Sequence, residues 1–223
     1  IIVSPVLGFF QSGAQIVADR YTYLSCIPFS ILLAGLSLNF FSNFERKKIL
    51  FVSLLTLFLI KFATQTFVQT TIWKDSITLW SYTLTLNPKS YIALLNLGFA
   101  LEKEGRIKEA KEYYEKAIEY HNDYVTAYYN LAILYEKIGD YKKAILMYQK
   151  VLTFNPEDGE TYNNLGNIFE KLGNINIAIK YFEKSLLLKP TFIVHQNLSR
   201  AYKKIGNIEK SAFHDKKAIE YQQ

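Results

Sequence analysis

Few side chains in this sequence are placed to do chemistry, and the first that could is a charged pair, Asp19-Arg20, set between two apolar stretches. A guanidinium presents a planar fork of donors that matches two phosphate oxygens, so Arg20 is a candidate for holding a phosphate and stabilising charge on it as it departs. The alternative is a structural ion pair anchoring a helix end, with Tyr21 and Tyr23 as interfacial aromatics. A second polar pattern is the row Asn96, Asn130, Asn164 and Asn197. A carboxamide offers donors and an acceptor, so such a row can grip the backbone of an extended peptide without reading its side chains, or can simply hydrate a surface. The three histidines, His121, His195 and His214, have no metal-ligand spacing, and no phosphate-cradling glycine loop occurs. They are expected to be surface or packing residues, and no cofactor or metal is expected to bind these residues.

The asparagines recur because their surroundings do. Gly105, Gly139, Gly173 and Gly206 follow one another at intervals of 34, 34 and 33 residues. Upstream of each lies Leu97-Gly98, Leu131-Ala132, Leu165-Gly166 or Leu198-Ser199, and downstream lies Ala110, Ala144, Ala178 or Ser211. Small residues at both positions let two antiparallel helices approach closely. Bulky ones fill the gaps: Leu101, Tyr135, Phe169 and Tyr202 on the first helix, Tyr114, Tyr148 and Phe182 on the second. The glycines make the turn between the helices, and Pro88, Pro156 and Pro190 stop the second helix before the next unit.

This pattern resembles the tetratricopeptide repeat (TPR), a helix-turn-helix unit. It implies four repeats, over 91–124, 125–158, 159–191 and 192–223, preceded by a capping half-repeat over 74–90 that carries Trp80 and Pro88. Asp215 stands where the earlier units carry Tyr or Phe, a position that packs against a following unit, so no fifth repeat is expected. In this fold the first helices line the concave surface, which would hold the asparagine row. Beside it, Phe99, Tyr129 and Ile133 would make the first half of the groove apolar, and Arg200, Lys203 and Lys204 would make the last repeat basic. A protein or peptide with an apolar stretch and an acidic end would fit.

The first third is different chemistry. Before Lys74 the charged residues are Asp19, Arg20, Glu45, Arg46, Lys47, Lys48 and Lys61, out of 26 Lys or Arg and 20 Asp or Glu in the chain. Residues 23–41 are uncharged and residues 49–67 contain only Lys61, so two membrane spans are expected within a helical region over 1–73. The loop between them carries Arg46, Lys47 and Lys48 and is expected to stay in the cytoplasm, which puts the repeats outside it. Trp73 then suits the far interface. Lys61 either faces a polar cavity or lipid headgroup inside the bundle, or marks the end of a shorter span. Cys26, the single cysteine, lies in a span and says nothing about redox compartment. The apolar start without Met reads as the C-terminal piece of a longer, multi-pass integral membrane protein. Net charge is +6, but Glu and Lys are interspersed in the repeats, as in Glu104/Lys108 and Glu112/Lys116. That argues for a solvated face and against nucleic acid.

The segment Pro5-Val-Leu-Gly-Phe-Phe-Gln-Ser-Gly-Ala-Gln-Ile-Val-Ala-Asp-Arg-Tyr-Thr-Tyr-Leu24 resembles the late membrane region of O-mannosyltransferase-like proteins of the GT-C glycosyltransferase superfamily, which end in TPRs. Trp73-Lys-Asp-Ser-Ile-Thr-Leu-Trp80 is similar to the family's junction between last span and first repeat. Where the family has Pro directly after Tyr-x-Tyr-Leu, this chain has Ser25, with Pro28 three residues on. The resemblance implies an all-α chain, transmembrane helices followed by an α-solenoid of about four and a half TPRs. It also implies transfer of a sugar, mannose above all, from a polyprenyl-phosphate donor to a protein hydroxyl at the extracytoplasmic face. In the family an acidic residue of an early loop is the base, and that loop is not within these residues. The competing reading is a non-catalytic, membrane-anchored TPR scaffold in envelope assembly.

Overall fold

The computed structural model describes residues 45–221 of the 223. Asp19, Arg20 and the span expected over 23–41 lie outside the described residues. Among the described residues every element is a helix. The chain divides between Thr70 and Thr71 into two units, taken in turn.

The first unit is described through α1 (Glu45–Ile72). Its stretch Val52–Ile72, 21 residues, is long and apolar enough to cross a membrane. This window sits a few residues later than the expected 49–67. Within it the Thr64 and Thr70 hydroxyls donate back to the carbonyls of Lys61 and Phe67, each at 2.8 Å, as Thr56 does to Val52. A threonine satisfied within its own helix adds little polarity to an apolar segment. Lys61 falls near the middle of the window, with no break in the helix there. Leu57, Phe58, Ile60 and Phe62 are exposed along α1. A bilayer would relieve that exposure.

The described residues of the second unit form nine helices: α2 (Ser76–Leu86), α3 (Tyr91–Lys103), α4 (Ile107–Tyr120), α5 (Val125–Lys137), α6 (Tyr141–Phe154), α7 (Gly159–Lys171), α8 (Ile175–Leu188), α9 (Phe192–Lys204) and α10 (Ile208–Glu220). From α3 onward they form four antiparallel pairs, one per repeat, with α2 packed on α3. Starts are set by side-chain caps: Asp75, Ser90, Asp140, Asp158, Thr191 and Asn207 each accept a hydrogen bond from a backbone N–H two or three residues on. Stops between paired helices are set by Gly105, Gly139, Gly173 and Gly206, with φ between 77° and 81°. The residue after each glycine donates back five residues, Arg106 to the Leu101 carbonyl at 2.9 Å and its counterparts likewise. This closure leaves few orphan carbonyls and requires the left-handed conformation that glycine adopts without strain.

Within a pair, a small residue on the first helix faces a ring on the second. Tyr114, Tyr148 and Phe182 are fully buried, as are Ala110, Ala144 and Ala178. A methyl group at Gly166 would collide with the Phe182 ring. Repeat 2 accommodates Ala132 at the equivalent place, against Tyr148. One core runs through the first three repeats, from Leu94 to Ile168, and another joins repeats 3 and 4 through Phe182, Leu198 and Tyr202. Ile77, Trp80 and Leu84 of α2 close the near end over Leu97 and Leu101. Asp215 is exposed. Tyr148→Ala should cost about 3 to 5 kcal/mol, the range for truncating a buried aromatic. Gly166→Ala should cost a net 1 to 2 kcal/mol or so, overpacking outweighing the gain in helix propensity. Thermal unfolding of the detergent-solubilised chain measures both, and a Gly166→Ala variant more stable than the parent would refute the close-approach account.

Candidate functional site

The first helices of neighbouring repeats lie side by side, α3 touching α5 and α7 touching α9. Their shared surface is where the sequence places the asparagine row. On it lies an open pocket of about 350 Å³ lined by Glu136, Asn167, Glu170, Lys171, Arg200 and Lys204, from α5, α7 and α9.

That pocket belongs to a ladder of ion pairs. Glu102 pairs with Lys137 at 3.5 Å, Glu136 with Lys171 at 2.8 Å and Glu170 with Lys204 at 2.9 Å, each linking one repeat to the next. The carboxylates are largely buried, at 14, 20 and 6% side-chain exposure, whereas the lysines are about half exposed. From below, the Tyr114 and Tyr148 hydroxyls donate to Glu102 and Glu136. Burial, followed by these carboxylates, pushes both phenols far above their ordinary range. Phe182 has no hydroxyl to offer Glu170. Arg200 instead grips that carboxylate bidentately, Nε at 2.8 Å and a terminal nitrogen at 2.7 Å. The Arg200 hydrogen bonds, with help from Lys204, hold the Glu170 carboxyl below its usual range despite its burial.

The ladder was not anticipated from the sequence. Its signal is the recurring Glu-Lys before each turn, Glu102-Lys103, Glu136-Lys137 and Glu170-Lys171, which becomes Lys203-Lys204 in the last repeat. It also engages two of the three cations expected in the last repeat. Arg200 and Lys204 share one carboxylate, and only Lys203 of that trio is exposed with no ion pair among the described residues.

The four asparagines are not equivalent. Asn96 donates to the Ile92 carbonyl of its own helix at 2.9 Å. Asn164 donates to the Tyr129 hydroxyl at 3.1 Å, and that hydroxyl donates to Glu160 at 2.7 Å. Asn197 donates to Asn163 at 2.8 Å and accepts from Arg200. These are struts within and between repeats. Asn130 makes no side-chain hydrogen bond among the described residues, nor does Asn167, which the row overlooked because it lies one turn further along α7. Tyr129, expected as a groove aromatic, is half-buried against Tyr148, and burial pushes its phenol up. Phe99 is exposed, with Lys103 4.5 Å above its ring, and Ile92, seven residues earlier on α3, is exposed too. No group of three His, Cys, Asp or Glu capable of holding a metal occurs among the described residues.

Glu170→Gln removes a carboxylate whose folded-state affinity for protons is reduced. Its contribution is therefore present above the carboxylate's ordinary pKa of about 4.3 and is lost as pH falls through and below that value. At pH 7 the variant should lose about 1 to 2 kcal/mol, discounted for the exposed cations, and its stability should depend less on pH between 5 and 3. Acid-unfolding curves of parent and variant check this.

Residues 89–157 match one tetratricopeptide-repeat model and residues 159–192 another. Over 106 residues the chain is 32% identical to "Protein O-mannosyl-transferase Tmtc2" of Drosophila melanogaster, a match covering 47% of this chain and 11% of that protein. The chain thus spans only about a tenth of that relative. Among solved structures, a crystal structure of MamA superposes with a TM-score of 0.63 at 24% identity, covering 69% of this chain and 91% of that one. MamA from Desulfovibrio magneticus RS-1 does so at 0.62 and 20%, covering 74% and 93%. At such identities these likenesses show the fold. The second unit is an all-α tetratricopeptide-repeat solenoid, a protein-binding module, in a chain that is similar to Tmtc2 over part of its length.

Proposed function

We propose that this chain is the C-terminal part of a multi-pass membrane glycosyltransferase of O-mannosyltransferase type, whose TPR groove recruits protein acceptors. The observation that carries the acceptor role is the groove itself. Exposed Phe99 and Ile92 offer apolar contact at one end; among the described residues Asn130 and Asn167 have unused hydrogen-bonding groups in the middle and Lys203 is a cation without an ion pair at the other. An extended segment with an apolar stretch and an acidic end matches that order. The catalytic role rests on the similarity to Tmtc2 and on the Asp19-Arg20 segment. Arg20 is assigned to the phosphate of a polyprenyl-phosphate sugar, with α1 in the lipid and the repeats on the extracytoplasmic side.

The test is sugar transfer by the full-length protein, from polyprenyl-phosphate mannose to a Ser/Thr-rich polypeptide. Phe99→Ala with Asn130→Ala removes one apolar contact and one hydrogen-bonding group, worth together roughly tenfold in affinity. KM for the polypeptide should rise by that factor at unchanged kcat. Arg20→Ala should instead lower kcat by about 10²- to 10³-fold, with Arg20→Lys recovering part. Unchanged KM in the groove variant sinks the acceptor role, unchanged kcat at Arg20 makes that residue structural, and a parent without transfer activity favours the membrane-anchored scaffold.

Topology is checked separately in a Cys26→Ser background. In intact cells Lys150→Cys should react with a membrane-impermeant thiol reagent and Asn43→Cys should not. The reverse pattern would place the repeats in the cytoplasm.

A further inference from the structure

His195 on α9 and His214 on α10 meet inside the last repeat, their Nδ1 atoms 2.9 Å apart, with both residues more than nine-tenths buried. Each has further aromatic neighbours. The Tyr202 ring stacks on His214 at 5.7 Å, Phe213 lies edge-on to it at 5.1 Å, and Tyr221 lies 5.2 Å from His195. Counting from the turn glycine, the same two places hold Leu94 and Tyr113 in repeat 1, Tyr128 and Met147 in repeat 2, and Tyr162 and Tyr181 in repeat 3. In repeat 3 the two tyrosines stack, with centroids 6.3 Å apart. Only the last repeat builds this contact between its paired helices from two groups that titrate near neutrality.

The geometry accepts a limited number of protons. With both rings neutral, one Nδ1–H donates to the other Nδ1 lone pair. A proton on the outer nitrogen of the donor ring preserves that bond but places a charge on a buried imidazole. A second proton turns the remaining lone pair into a donor, so that two N–H groups on two cations face each other. The charged groups around the pair are mixed. Lys210 and Lys217 of α10 oppose protonation, while Glu183 of α8 and Asp215 and Glu220 of α10 favour it. Burial outweighs them and pulls both imidazoles below their ordinary value.

We infer that the His195–His214 contact is a proton-sensitive latch, closed when both rings are neutral and loosened by mild acid, which frees α10 from α9 while repeats 1 and 2 stay folded. The consequence reaches the groove, because α9 carries Arg200 and Lys204, the two cations that clasp Glu170 and wall the pocket. Opening the latch would strip α10 from the back of α9 and loosen that end of the groove. The folded repeat binds protons less readily than the open chain, whose histidines titrate near 6.5. Stability of the last repeat is therefore full above about pH 7.5 and falls as pH drops through 6.5, by up to tenfold in the opening equilibrium per excluded proton at pH 5.5.

The experiment is amide hydrogen exchange on the full chain in detergent with EDTA, followed by mass spectrometry at pH 7.5, 6.5 and 5.5 and corrected for intrinsic exchange. Protection over residues 192–220 should fall at least tenfold across this range, and protection over 91–154 by less than twofold. His195→Tyr with His214→Tyr, which installs the repeat 3 pair, should abolish the step. Should that variant fold poorly, His195→Leu with His214→Tyr installs the repeat 1 pair. A parent whose four repeats lose protection in parallel, or show no step, would overturn the latch. So would a folded double variant that keeps the step.

Discussion

Everything in the repeat unit depends on how closely the two helices of each repeat can approach. Gly98, Ala132 and Gly166 leave room on the first helix for a ring on the second, and that ring is completely buried. The distance set in this way decides where the ring's far end arrives. In repeats 1 and 2 the end is a phenol oxygen, which meets Glu102 or Glu136 just before the turn. The other oxygen of each carboxylate takes a lysine from the following repeat. Packing inside one repeat thus positions the acid that binds the next.

Repeat 3 shows the dependence by its exception. Phe182 fills the same space but brings no hydroxyl, and Glu170 is held from across the repeat boundary by Arg200 and Lys204 instead. Two cations on one buried carboxylate are worth less as raw stability than their number suggests, since desolvation offsets much of the attraction. Their clearer effect is on register: a bidentate guanidinium fixes both distance and angle between α7 and α9. For binding, this commits most of the groove's positive charge in advance. An incoming carboxylate would compete with Glu170 for Arg200 and Lys204, and among the described residues meets no such competitor at Lys203.

Much of the fold was legible from local patterns. The turn glycines, the small residues at fixed offsets, the buried rings and the capping residues are each demanded by the physics of a single helix pair, and each appears at the spacing that physics requires. The apolar character of α1 was legible for the same reason, since composition along one helix decides whether it suits lipid. Its bounds were less so. The apolar window runs over Val52–Ile72 rather than 49–67, and within it the hydroxyls of Thr64 and Thr70 are satisfied by their own helix.

The site was legible only in outline. The sequence by itself determined which side chains recur on the first helices, and therefore that asparagines, aromatics and lysines share one surface. Tertiary structure alone decided which of them are already spent: Asn164 on Tyr129, Asn197 on Asn163 and Arg200, Lys204 on Glu170. It also brought together His195 and His214, 19 residues apart and unremarkable in sequence. Periodicity fixes the face on which a residue lies, because that follows from backbone geometry within one helix. Hydrogen-bond partners 19 to 35 residues away follow from how helices cross and how far each side chain reaches, and a change as small as Tyr to Phe at position 182 redirects them.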